Sequence, residues 1–235
     1  MGISHHFITA TGQTRTNIKI VDDLHKTYTD INEIGVPVSE ENLQALEEYV
    51  FGHLTKEDFL VLAGSVPVNV PKDIYKNWIQ RANQIGAKVV LDADRELLEQ
   101  AIEAGPYLIK PNIHELEQLC DQKIETIEKA IALAKDLLKY KIEVIVISRG
   151  EDGCVVVTKD ETLMVEGLKV PVKSTVGAGD SMVAALTHAL SRKSSLKEAI
   201  ILGVAASAAS IMQEGTIMGE WETIQRLKEQ VKITL

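Results

Sequence analysis

Apolar positions along the chain follow two rhythms, and the change comes near residue 37. Before it, residues 16–21 and 27–31 alternate apolar and polar side chains with period two. Asp22-Asp23 and their neighbours separate the two runs, which predicts a hairpin with one polar face. Pro37 interrupts the alternation, and Ser39 ahead of residues 40–51 reads as the cap of a helix. From there short apolar runs alternate with stretches of helical spacing. Strands are predicted at 59–63, 88–91, 107–109, 143–147 and 154–158, and helices at 72–85, 95–104, 113–119 and 124–139, with three more after Gly179. All-apolar strands separated by amphipathic helices predict a mainly parallel sheet covered on both faces. No repeat, low-complexity tract or linker breaks the pattern, so a single α/β domain over 1–235 is expected, with 14–36 as a projecting hairpin.

Ligands in such sheets bind just beyond the carboxyl ends of the strands. The residues at those places are Gly64-Ser65, then Asp92 and Asp94, then Lys110-Pro111-Asn112 with Glu115, then Ser148-Arg149-Gly150 with Gly153. The last junction runs from an alternating segment (Leu163, Val165, Leu168, Val170) through Lys173-Ser174-Thr175-Val176-Gly177-Ala178-Gly179-Asp180 into an apolar run of helical spacing. Glycines, small hydroxyls, an amide, acids and cations gather on one rim, which predicts a shared active edge.

Two glycines at a strand-to-helix junction let the backbone turn with its amides uncovered. The first N–H groups of the helix then face outward, where the helix dipole favours an anion. Asp180 shares that tip. Free amides stabilise charge on a moving phosphoryl group, and a carboxylate takes the proton of an attacking hydroxyl, so the pairing points to phosphoryl transfer. No Gly-Lys-Ser/Thr follows the glycines, and no third glycine completes a dinucleotide fingerprint. Taken alone, Gly-Ala-Gly-Asp is explained equally well by an ordinary turn and N-cap.

Residues 174–181, Ser-Thr-Val-Gly-Ala-Gly-Asp-Ser, resemble the second signature of the PfkB-type carbohydrate kinases in the ribokinase-like superfamily. Lys110-Pro111-Asn112-Ile113-His114-Glu115 is similar to that family's Lys-Pro-Asn-x-x-Glu pattern, and residues 148–153 to its Ser-x-Gly-x-x-Gly turn. The hairpin, with residues 14–20 and Thr29-Asp30-Ile31-Asn32, is similar to that of the phosphosugar branch, the 1-phosphofructokinases and tagatose-6-phosphate kinases. The resemblance implies a kinase that uses ATP and Mg²⁺ to phosphorylate a ketohexose monophosphate. Fructose 1-phosphate is favoured as acceptor over fructose 6-phosphate and tagatose 6-phosphate. It implies Asp180 as base, with Gly177, Ala178 and Gly179 forming the anion hole. Lys110, Asn112, Ser148, Gly150, Gly153, Thr175 and Ala206, the last on a small-residue helix over 199–212, fall to the nucleotide. Asn112 and Glu115 fall to Mg²⁺ through water, and Arg15, Asn17, Lys19 and Ser65, with Asp180, to the sugar phosphate. A planar guanidinium such as that of Arg15 suits a phosphate better than an ammonium does. Structural explanations stay open beside these: a helix cap at Asn112 and Glu115, a plain turn at 148–153, close packing of 199–212, and an exposed polar hairpin face.

The family's N-terminal portion supplies a first central strand with a sugar-binding Asp, a Gly-Gly-Lys-Gly-x-x-x-Asn motif and half of a lid sheet, and none of these is found in the 235 residues. The expected fold is a three-layer αβα ribokinase-like domain, N-terminally truncated, with a remnant hairpin lid and an unpaired apolar sheet edge. Three readings fit: the kinase itself, an inactive nucleotide-binding paralogue, and one part of a split kinase completed by another chain. A homodimer through the lid is the assembly that the resemblance implies.

Composition narrows the partners. A net charge of −9 argues against nucleic acid and anionic membrane, so phosphates must be held by locally placed Lys and Arg. Cys120 and Cys154 have no metal-ligand spacing and sit in apolar segments, which predicts buried, reduced thiols. The six histidines form no ligand cluster by spacing. No signal peptide and no apolar run of spanning length is seen, and a cytoplasmic protein is expected. His114, His188, Trp78 and Trp221 read as packing or surface residues, Asp92 as a strand end and Asp94 as a helix N-cap.

Overall fold

The computed structural model describes residues 2–22, 25, 27–93 and 95–234. The predicted hairpin forms from β1 (Asn17–Asp22) and β2 (Thr27–Asn32), paired antiparallel with Asn17 opposite Asn32 and Ile18 opposite Ile31. Period two places Ile18, Ile20 and Ile31 on one face, and all three are about half exposed. The base of the hairpin is tied down: the Thr16 N–H donates to Glu33 Oε2 at 2.7 Å, and Val38 and Asn69 exchange two hydrogen bonds.

Helix α1 (Glu40–His53) starts where Ser39 accepts from the Asn42 N–H, as its sequence predicts. The main sheet then builds in chain order. β3 (Phe59–Ala63), β4 (Lys88–Asp92), β5 (Leu108–Ile109) and β6 (Val144–Ser148) are parallel, and β7 (Cys154–Val157), β8 (Thr162–Val165) and β9 (Ile233–Thr234) continue it antiparallel. The parallel strands are linked by α2 (Ile74–Ile85), α3 (Arg95–Ile102), and the pair α4 (Ile113–Cys120) and α5 (Ile127–Leu137). Helices α6 (Ala178–Ser191), α7 (Leu196–Ile211) and α8 (Trp221–Lys228) complete the chain.

Neighbouring residues of one strand face opposite layers. Leu62, Val89, Leu91, Ile109, Ile145 and Ile147 pack with α1–α5, whereas Val90, Leu108, Val144, Val146 and Val156 pack with α6–α8. That is the αβα arrangement expected of strands apolar on both faces.

Three details differ from the sequence pattern. The apolar run 59–63 forms its strand, but only Leu62 is buried and Val61 is 41% exposed, because β3 lies at the sheet edge with no neighbour on its outer side among the described residues. The helix predicted over 124–139 begins later, where Thr126 accepts from the Lys129 N–H, and gives way to a 3₁₀ turn at 138–140. The alternation through Leu168 and Val170 extends beyond β8, yet those residues run as a loop toward α6, and β9 takes the ladder on that side instead. Cys154 is buried with its thiol pushed up to about 12 by burial, and Cys120 is half-buried, its thiol raised for the same reason. The cap expected of Asp94 lies outside the described residues.

Candidate active site

Helix α6 begins at Gly177, whose φ of 79° is a left-handed conformation that glycine adopts at little cost. Among the described residues no side chain caps this end. The first i→i−4 bond runs from the Ser181 N–H to the Gly177 carbonyl at 2.9 Å, so the amides of Gly179 and Asp180 come before the helical ladder. The loop leading in is held from behind, because the N–H groups of Lys173 and Ser174 both donate to the Ile211 carbonyl at the end of α7. Asp180 sits in the exposed first turn.

Beside this tip lie the ends of β4, β5 and β6. Ser148 donates its N–H to the Pro111 carbonyl at 2.9 Å, and Asn112 and Ser148 form a parallel bridge, so the loops after β5 and β6 travel together. Asn112 caps α4 in a reciprocal box. Its Oδ1 accepts from the Glu115 N–H at 2.8 Å, and its own N–H donates to Glu115 Oε2 at 2.9 Å. Lys110 is buried, with its ammonium 3.1 Å from Asp92 Oδ1. Burial pushes the Asp92 carboxyl above the usual aspartate range, the Lys110 charge opposes this, and the nearby Asp180 carboxylate adds to it.

A cavity of about 1020 Å³ opens between these loops and α7. Lys110, Asn112, Ser148, Gly150, Gly153, Thr175, Ala178 and Gly179 all line it, so most of the residues expected to meet a nucleotide share one wall. Its size suits a ligand of nucleotide dimensions. Ala206 does not belong to it. That side chain is buried in the core around α7, and the helix instead lines the cavity with Val204, Ser207, Ala208 and Ile211, which share one face at helical spacings of three and four.

Gly167, which no sequence pattern singled out, also lines the cavity. A Cβ on Gly167 would overlap the Glu151 carbonyl, and one on Gly153 would overlap the Val165 carbonyl. The turn at 150–153 crosses the strand exit at 165–167 backbone on backbone, and two bare residues permit it. The only sequence signal was the glycine itself.

The hairpin residues stand apart from the cavity. Arg15 Nη2 donates to Ser65 Oγ at 2.8 Å, which brings two of the residues expected at the sugar phosphate together beyond the end of β3. Asn17 and Lys19 lie along the polar face of β1 and do not line the cavity. Trp78 packs edge-on against Phe51 in the core, while Trp221 is exposed.

Asn112 Oδ1 and Glu115 Oε2 are both engaged in the cap of α4, so this amide and carboxylate suit a hard cation met through water that it keeps, as Mg²⁺ does. Among the described residues, no group of three or more His, Cys, Asp or Glu could hold a metal directly, and no helix is long and apolar enough to cross a membrane.

Residues 1–224 match the model of the pfkB family carbohydrate kinases. A 1-phosphofructokinase of Vibrio cholerae is 32% identical over 234 residues, which is 100% of this chain and 74% of that one. One of Bacillus subtilis is 36% identical over 225 residues, 95% of this chain and 72% of the other. The crystal structure of phosphofructokinase-2 from Escherichia coli in complex with potassium superposes with a TM-score of 0.85 at 29% identity, covering 92% of this chain and 71% of that one.

Proposed function

The chain belongs to the pfkB family of carbohydrate kinases, and we propose that it transfers the γ-phosphoryl group of ATP to fructose 1-phosphate, giving fructose 1,6-bisphosphate. It is a phosphotransferase with the ribokinase-like αβα fold, acting on a hexose phosphate. The observation that carries the reading is the α6 tip, where a carboxylate and uncovered amides stand at the mouth of a nucleotide-sized cavity.

In this reading the nucleotide lies along the cavity, its base between Val170 and the Val204–Ile211 side of α7, its phosphates toward Gly179. Asp180 accepts the proton of the sugar's 6-hydroxyl as that oxygen attacks the γ-phosphorus. The bond to the bridging oxygen breaks, and ADP leaves. The amides of Gly179 and Asp180 receive the charge that develops on the phosphoryl oxygens. Asn112 and Glu115 would hold Mg²⁺ through water, and the ion would supply further neutralisation of the phosphate oxygens. Arg15, reaching to Ser65, selects acceptors that already carry a phosphate. The half-exposed apolar face of the hairpin pairs with its copy in a homodimer, and the protein works in the cytoplasm.

The test is a coupled assay of the purified chain with ATP and fructose 1-phosphate, run beside Asp180→Asn. The wild type is expected to turn over, and the variant to lose about a hundredfold or more in kcat, as removal of a general base costs. Equal rates would remove Asp180 from its role, and no turnover in the wild type would remove the reaction.

A further inference from the structure

Lys110 is placed where a cation does not rest unaided. Its ammonium lies beneath the first turn of α6, so near that a Cβ built on Gly179 would come within 3.3 Å of Nζ. That turn is the positive end of the helix dipole, and an ammonium beside it is repelled unless an anion is present. Before any phosphate arrives, Asp180 stands on the turn itself, and the anion in contact with the ammonium is Asp92, 3.1 Å away, with only 17% of its side chain exposed against 8% for Lys110.

Asp92 is itself held on both sides. It pairs in register with Ala63 of β3, its carbonyl accepts from the Gly64 N–H at 3.0 Å, and the preceding Leu91 carbonyl takes the Lys110 N–H at 3.4 Å. The carboxylate therefore projects from the fixed end of an inner strand, whereas a lysine has four rotatable side-chain bonds and their rotamer entropy to lose. A rigid carboxylate that holds the ammonium against the helix tip orders it before the ligand binds. It also offsets the repulsion that would drive it out to solvent.

We propose that Asp92 is a positioning residue, which holds the Lys110 ammonium under the α6 tip so that this charge and the uncovered amides meet the same incoming phosphate. The inference rests on the cavity being the nucleotide site. Asp92 touches neither substrate; it acts through Lys110. A purely structural ion pair would share the geometry but not the consequence, which is a loss of nucleotide affinity that depends on Lys110 being there.

Calorimetric titration with Mg²⁺ and a non-hydrolysable ATP analogue, without sugar, reads this directly. Asp92→Asn and Lys110→Met are each expected to weaken binding by about tenfold, and the double variant to bind no more weakly than Lys110→Met alone, as coupled neighbours behave. Wild-type affinity in Asp92→Asn, or losses that multiply in the double variant, would overturn the proposal. Should Asp92→Asn leave the ammonium too poorly paired to fold, Asp92→Glu keeps the charge and displaces it by one methylene. It is then expected to match the wild type in Tm, to bind the analogue about threefold more weakly, and to lose that deficit in the Lys110→Met background. Wild-type affinity there, or a deficit that persists without Lys110, counts against the idea. Failure of the wild type to phosphorylate a fructose phosphate would remove the reaction proposed above and leave this binding cycle readable.

Discussion

Gly179 is conspicuous for what it lacks. Its backbone is ordinary, unlike that of Gly177, and the argument for glycine there is space: a methyl group would press on the end of the Lys110 side chain. Gly179→Ala is therefore expected to raise the KM for ATP by about fivefold or more while leaving Tm within about a degree, since the displaced atom ends a flexible side chain. Thermal melts and initial rates on the same preparation check both halves. Arg15 makes a separable case. Its contact with Ser65 lies outside the cavity beside the α6 tip, so Arg15→Ala should raise the KM for fructose 1-phosphate by about tenfold or more, the worth of a charge-assisted hydrogen bond, with the KM for ATP unchanged. A parallel rise in both constants would place Arg15 in general stability instead.

At the scale of elements, α7 supports the site from behind, and its start depends on one box. Ser195 Oγ accepts from the Glu198 N–H, and both the Ser195 hydroxyl and its N–H donate to Glu198 Oε2 at 2.8 Å. The hydroxyl first and the amide second hold the Glu198 carboxyl below the ordinary glutamate value of 4.5. A depressed folded-state value means that the carboxylate's stabilisation is complete above 4.5 and is lost as pH falls through the lowered value. The Tm difference between wild type and Glu198→Ala is thus expected to be full at pH 7 and to shrink in that acid range, and a pH series of melts reads it. Further along α7, Gly203 lets α6 approach, because a Cβ there would meet Leu186 Cγ at 3.0 Å and Met182 Cγ at 3.3 Å. Gly203→Val should destabilise by about 2 kcal/mol through overpacking, measurable by urea unfolding.

For the whole molecule the exposed apolar surfaces decide the behaviour. Ile18, Ile20 and Ile31 form a half-exposed face on a hairpin that stands apart from the domain. Two isolated strands are marginal in water, so a copy packed on that face would stabilise both. Ile18→Lys with Ile20→Lys is expected to convert a dimer to a monomer in sedimentation velocity, and unchanged sedimentation would take the hairpin out of the interface. The edge strand β3 carries a different liability, because an open ladder with an exposed Val61 invites further strands.

The chain's own residues were enough to determine the layers, the helix cap at Ser39, the rim on which the candidate residues gather, and the α6 tip with its acid. Each of these follows from local chemistry: side-chain period, caps within three residues, and glycines at a turn. Tertiary structure alone decided the rest. It turned Ala206 inward and Ser207 outward, since which stripe of an almost wholly apolar helix faces the core depends on what packs against it. It made an apolar run an exposed edge, because burial belongs to neighbours and not to residues. It also paired Asp92 with Lys110, 18 positions apart by their numbering, since only two parallel strands in register bring those ends together.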